Sequence, residues 1–256
     1  MHPAEFYTGI VPTVYTVLRG THFNAERYRS FIQEHGTPAL ELGCGDDGPF
    51  YELAAMGIDL EGVDSSEDMV RRGRARLEAE GITAVIHQQR MEEFELNRKF
   101  ASIYLAGPTF NLLPDDATAL RALRAIADHL EPEGAALVPL WSPPPTPSHQ
   151  IGVVHSARVG EADARYTVLQ EDYDTASRTR TTSMRFELAT DSESVVEDRE
   201  WIIHWYDPKE FQQLAAKAGL KSYCVSVDDE QVEVHLQPQP VAPKIVDSGA
   251  ARTPNR

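Results

Sequence analysis

The chain has 256 residues, 41% of them hydrophobic, which sets one large domain or one domain with an insertion. Its 24 basic and 40 acidic residues leave a net charge of −16, which opposes a phosphate backbone and argues against nucleic acid as a partner. Two cysteines without CxxC spacing, nine histidines without an HxxxH or HExxH pair, and no apolar run of membrane-spanning length give no support to a disulfide framework, a metal site or a transmembrane segment. The first twenty residues lack a basic start followed by an apolar stretch, so no signal peptide is expected and the cytoplasm is the default.

Residues 5–35 mix aromatics and charges and predict helical segments interrupted by Pro12 and Gly20. "PALELG" (38–43) is a short buried strand ending in a glycine loop, and "PFYELAAMG" (49–57) a helix stopped by Gly57. "IDLEGVD" (58–64) is a strand ending on Asp64. "SSEDMVRRGRARLEAEG" (65–81) is a helix with acceptors and negative charge at its start, and its run "RRGRAR" reads as a solvated face. Strands follow at 82–89 and 100–107, then an amphipathic helix at 115–130, a turn "EPEG" and a strand "AALVPL" (135–140). This alternation predicts a doubly wound, mostly parallel α/β sheet.

The rhythm then breaks. A Pro-rich loop (141–152) leads into three β-rich stretches at 164–174, 177–190 and 194–206, an expected antiparallel meander. "DPKEFQQLAAKAGL" (207–220) is a helix with Asp207 as N-cap and Pro208 at its first position. Residues 221–228 and 231–238 form a closing hairpin through "DE", and residues 239–256 read as a disordered tail.

The stretch "ELGCGDDG" (41–48) has two parses. Gly43-x-Gly45-x-x-Gly48 is a dinucleotide fingerprint, which requires bare N–H groups and little negative charge around a pyrophosphate. Glu41, Asp46 and Asp47 conflict with that requirement. A ligand carrying a sulfonium and an ammonium suits these carboxylates. Asp64, at the end of the second strand, can accept from ribose hydroxyls in either case.

"LELGCG", "EGVDSSEDMVRRGRARL", "LRAIADHLEPEGAALV" and the final helix with its hairpin together resemble the class I S-adenosylmethionine (SAM) methyltransferases, over roughly residues 38–140 and 207–236. The resemblance implies a seven-stranded Rossmann-like sheet with SAM as cofactor and S-adenosylhomocysteine as product. It implies a helical cap at 1–37, a SAM-binding core at 38–141 and 207–238, and a β-rich substrate lid at 142–206. Cofactor residues implied by it are Tyr7 and Tyr15 as an aromatic cover, Glu41, Gly43, Cys44 and Gly45 in the loop, and Asp64, Ser65 and Met69 after the second strand. Met91 and Glu92 stand near an adenine site, where Arg90 replaces the usual acidic acceptor. Leu105 and Ala106 follow from the fourth strand. Cys44 also suits a small apolar packing role. The loop glycines are expected to receive the carboxylate of SAM.

The acceptor is expected to be a small molecule held under the lid. Thr109, Asn111 and Tyr206 are candidates to line its site, with Pro108 beside them, although a rigid turn ending at an Asp115 N-cap is the plainer reading of 105–116. A neutral amine attacks unaided, whereas a hydroxyl benefits from a general base. His155 and His204 are the candidate bases, each weighed against an ordinary structural role, as is Tyr166. Two other functions remain open at this point: an NAD(P)-dependent oxidoreductase and a non-catalytic SAM-fold binding module. The oligomeric state is left open, a homodimer included.

Overall fold

The computed structural model describes residues 6–19, 24–226 and 231–240. Helices α1 (Val11–Arg19) and α2 (Ala25–His35) lead into β1 (Ala39–Leu42), α3 (Pro49–Ala55), β2 (Leu60–Asp64), α4 (Glu67–Glu80), β3 (Val85–Gln88), β4 (Phe100–Tyr104), α5 (Asp116–His129) and β5 (Leu130–Trp141). The ends follow from local chemistry. The Ser66 hydroxyl accepts from Met69 N at 3.2 Å to start α4, and Gly81 ends it in the left-handed region. Asp115 accepts from Thr118 N at 2.7 Å to start α5.

The first sheet has the strand order β10 (Leu220–Ser226), β11 (Gln231–Pro238), β5, β4, β1, β2, β3. β1 to β5 pair in parallel, and β10 with β11 joins β5 antiparallel. β1 and β4 are buried along their whole length, so they are apolar on both faces except at Glu41 and Ser102. Leu40 and Leu42 face one core, with Leu123 and Ile126 of α5 and Phe211 of α6 (Pro208–Lys217). Ala39 faces the other, with Tyr28 and Phe31 of α2 and Phe50 and Tyr51 of α3. Glu41 shares the second face by alternation.

A separate antiparallel sheet, in the order β6 (Val154–Val159), β7 (Ala162–Asp174), β8 (Thr179–Ala189) and β9 (Ser194–His204), fills residues 154–204. Phe6 and the Val11 and Val14 side of α1 pack on its Ala164, Met184 and Phe186. The N-terminal segment thus belongs to the inserted sheet as much as to the parallel one.

Several expectations change. Pro12 does not interrupt a helix but sits in the first turn of α1, where its missing N–H has no intrahelical partner to lose. Residues 131–134 are no separate turn, because β5 begins at Leu130. Phe100 pairs with Leu130 while Ser102 pairs with Ala135, so the extra residues bulge. Gly134 crosses there so closely that a Cβ would lie 2.9 Å from Phe100 O. The inserted sheet has four strands, not three. β6 (Val154–Val159) escaped notice because its side chains are half-buried or exposed, leaving no clean alternation. Gly20, the "DE" turn and residues 241–256 of the expected tail lie outside the described residues.

Candidate active site

A cleft opens at the C-terminal edge of the parallel sheet, where β1 lies between β2 and β4 and the strand order reverses. Open α/β sheets hold ligands at this position. The loops after β1, β2, β3 and β4 converge here, and Tyr7, Tyr15 and Thr16 from the N-terminal segment close one side. Tyr7 and Tyr15 meet edge to face at 5.2 Å. Their segment is tied to the start of α4, where Gly9 N donates to Asp68 at 2.8 Å and the Ser66 hydroxyl donates to Tyr7 O.

The glycine loop is held from several directions. Gly43 and Gly45 adopt φ of +73° and +57°, open to glycine without strain. Gly43 N donates to Val63 O at 2.7 Å, and Cys44 N to the same oxygen at 3.2 Å. Gly45 N donates to Asp64 Oδ2 at 2.9 Å, while Asp64 Oδ1 accepts from Ser66 N at 2.9 Å. The Tyr51 hydroxyl donates to Gly45 O at 2.7 Å. From α4, Arg72 pairs with Asp46 at 2.7 Å, and Arg76 donates to Asp46 O while lying 4.3 Å above the Tyr51 ring. The run "RRGRAR" is therefore not a merely solvated face, since its Arg72 and Arg76 clamp the loop. Gly73 lets α4 come this close, because a Cβ there would lie 2.2 Å from the Tyr51 hydroxyl oxygen.

Glu41 is the unusual group. It is fully buried, and neither carboxylate oxygen accepts a hydrogen bond from the protein. Burial pushes its pKa well above the usual carboxylate range. The facing Tyr104 phenol moderates the rise and the Asp64 charge adds to it. Asp64 is likewise raised by burial, offset by the N–H groups of Ser66 and Gly45. Glu41, Asp47, Asp64 and Glu92 all line the cleft, and no Lys, Arg or His does so among the described residues. Met69, Met91, Leu112 and Leu113 supply apolar walls.

These features test the two parses of the loop. The N–H groups of residues 43–45 that a pyrophosphate would need are already engaged, and no cation faces the cleft. By the same count, they are not free to receive the carboxylate of SAM. A sulfonium and an ammonium do fit: an orphaned buried carboxylate awaits a cation. A Cβ at Gly45 would meet nothing within 4 Å, and Gly43 is backed by Thr109 at 2.5 Å from a would-be Cβ.

The cleft brings together Tyr7, Tyr15, Glu41, Gly43, Cys44, Gly45, Asp64, Ser65, Met69, Met91, Glu92, Ala106 and Thr109. Cys44 also packs as a small apolar group, its Sγ filling the space beside Gly62. Arg90 stays out of the cleft, while Met91 and Glu92 enter it.

Other expected residues lie elsewhere. Leu105 is in the apolar core, because alternation turns it away from Ala106. Asn111 is fully buried and binds Trp141 O, His204 O and Trp141 N, so it staples chain segments instead of lining a site. Tyr206 packs on Phe110 and Phe211. His204 turns to Asp116 at 3.0 Å and is 3% exposed. His155 stacks on Tyr166 at 4.6 Å, on the inserted sheet and outside the cleft. Neither histidine is placed to act as a base there. Sequence reading missed Thr16, Gln89 and the 112–114 turn as lining groups.

Five parallel strands closed by a reversed hairpin, beside an acid-lined cleft free of cationic side chains among the described residues, have the Rossmann-like architecture of the SAM-dependent methyltransferases. Residues 39–134 match the model of a methyltransferase domain family. The chain is 27% identical to the dTDP-3-amino-3,6-dideoxy-alpha-D-glucopyranose N,N-dimethyltransferase of Streptomyces fradiae over 182 residues, covering 62% of this chain and 70% of that one. It is 31% identical over 105 residues to the dTDP-3-amino-3,4,6-trideoxy-alpha-D-glucopyranose N,N-dimethyltransferase of Streptomyces venezuelae, covering 41% and 43%. The second match thus spans less than half of that relative. Among solved structures, the sugar N-methyltransferase KedS8 from Streptoalloteichus superposes with a TM-score of 0.70 at 18% identity, covering 86% of this chain and 89% of that one. The CcbJ methyltransferase from Streptomyces caelestis gives 0.71 at 17%, covering 93% and 98%. Among the described residues, no helix is long and apolar enough to cross a membrane.

Proposed function

We propose that the chain methylates the amine nitrogen of a small molecule, an amino sugar being the class that fits best, and that the inserted sheet with α1 is the lid over that acceptor. The observation that carries the reading is the unpaired, buried Glu41 in a cleft lined by carboxylates and by no cation among the described residues. When bound, SAM supplies an electrophilic methyl that a nucleophile's lone pair displaces from sulfur. Glu41 and the nearby carboxylates favour the cationic cofactor over its neutral-sulfur product. Tyr7, Tyr15, Met69 and Met91 screen the site from water, and Asp64 holds the loop that shapes it.

Two points support nitrogen. A neutral amine needs no base to attack, and both candidate histidines stand outside the cleft. The proton released afterwards has carboxylates nearby to take it. The Streptomyces fradiae and Streptomyces venezuelae relatives are N,N-dimethyltransferases of dTDP-linked amino sugars.

Transfer from methyl-labelled SAM to D-glucosamine, a phenol and D-glucose tests the reading. Label on the amine alone is the expected result. Label on an oxygen, or no binding of S-adenosylhomocysteine by folded protein, overturns it.

A further inference from the structure

A second cavity lies within the inserted sheet, between its inner face and the Pro-rich segment after β5, outside the cofactor cleft. His155, Tyr166, Arg180, Thr182 and Trp201 are among its walls. Its chemistry is the opposite of the cleft's.

Arg180 is 7% exposed, a rare burial for a guanidinium. It lies 4.9 Å from the Trp141 ring and 5.7 Å from the Trp201 ring, and Nη1 donates to Pro144 O at 3.1 Å. Its Nε has no acceptor. Glu171 is its ion-pair partner, with Oε2 3.7 Å from Nε, but at that distance the pair has no hydrogen bond. Glu171 is occupied otherwise: Thr146 donates to it through N and Oγ1, and Thr182 through Oγ1. The carboxylate is satisfied by neutral donors while the guanidinium keeps one unspent. The buried Trp201 Nε1 also has no acceptor. Two desolvated donors, one of them cationic, thus border one cavity and await oxygen atoms. A charged donor gains roughly twice as much from an oxyanion as from a neutral acceptor.

The two cavities flank one apolar cluster: Tyr7 and Tyr15 of the cleft and Tyr166, Met184 and Trp201 of the lid cavity all pack around Phe6, Val11 and Val14. An acidic group on the acceptor would be repelled by Glu41, Asp47, Asp64 and Glu92. A single buried cation beside the cleft gives that group a place.

We propose that the lid cavity is an oxyanion subsite for the acceptor, with Arg180 as the residue that selects amines also carrying a phosphate or carboxylate. This rests on the small-amine reading above. Calorimetric titration of the full chain saturated with S-adenosylhomocysteine tests it, using D-glucosamine, D-glucosamine 1-phosphate and D-glucosaminic acid as probes. The native protein is expected to bind at least one acidic probe about tenfold tighter than D-glucosamine. Arg180→Gln is expected to erase that preference while S-adenosylhomocysteine affinity stays the same. Trp201→Phe, which keeps the ring and removes only the N–H, is expected to reduce the preference and serves alone if Arg180→Gln does not fold. Preference for the phosphate over the carboxylate, or the reverse, identifies the oxyanion. Equal binding of all probes, no binding of any, or a preference unchanged in the folded variants overturns the proposal. Failure of the methyltransferase reading would show separately, as loss of S-adenosylhomocysteine binding.

Discussion

Gly73→Ala is the most informative single change, because helix propensity and packing predict opposite signs. Gly73 lies inside α4, where alanine is better than glycine by about 1 kcal/mol. Packing opposes it. The new Cβ would stand 2.2 Å from the Tyr51 hydroxyl oxygen, 3.0 Å from Ile86 Cδ1 and 3.2 Å from Gly45 O. Tyr51 is 1% exposed and has little room to retreat. Moving it breaks the 2.7 Å bond to Gly45 O and leaves a buried hydroxyl unsatisfied, costing about 1–3 kcal/mol. Overpacking adds about 1–3 kcal/mol. Net destabilisation by about 1–5 kcal/mol is expected, with S-adenosylhomocysteine affinity weakened because Gly45 loses its anchor. Tyr51→Phe alone removes one hydrogen bond, about 1 kcal/mol. Combined with Gly73→Ala it also removes the atom that clashes, so the double variant should be more stable than Gly73→Ala. A favourable coupling of about 2 kcal/mol is expected from urea unfolding of the four proteins, with calorimetric titration alongside. Additive effects, or a Gly73→Ala protein as stable as the native one, would refute the argument that close approach explains this glycine.

Three further outcomes follow from the same structure. Glu41 titrates above the usual carboxylate range when folded, so the folded state holds its proton at pH values where the unfolded chain has released it. The stability this confers is present at acid pH and fades as pH rises from the unfolded value toward the folded one. Cofactor-free Glu41→Gln should therefore melt with less loss as pH is raised, yet bind SAM more weakly; an identical pH dependence of Tm in both proteins counts against it. Asn111→Ala should destabilise by about 3 kcal/mol, since it leaves Trp141 and His204 backbone groups unpaired, and should leave S-adenosylhomocysteine affinity unchanged in titration. His204→Gln should keep the pH–rate profile of methyl transfer, because the ring faces Asp116; loss of the acid-side limb would restore it as a base.

The sequence made the parallel sheet legible because its signals are local. Ser66, Asp115 and Asp207 are caps at the helix starts, and all three accept the expected backbone N–H. The loop's acidic character was legible too, since Glu41 stands two positions before Gly43. What sequence alone hid depends on distant partners. Asp46 counted as a free negative charge until Arg72, 26 positions away, was seen to pair with it. Asn111 looked like a site residue because it follows a central strand, yet its amide reaches the backbone of residues 141 and 204. His204 and Tyr206 are two apart at the end of an inserted strand, and nothing in their spacing reveals that both face α5 and α6 and not the cleft. Gly73 had left a trace, since an isolated glycine in a long helix is unfavourable unless something approaches closely. That trace pointed to contact but not to its partner, and the partner, Tyr51, places the cofactor loop. The glycine that matters to the loop's shape thus lies 28 residues beyond Gly45, on the helix that the loop leans against.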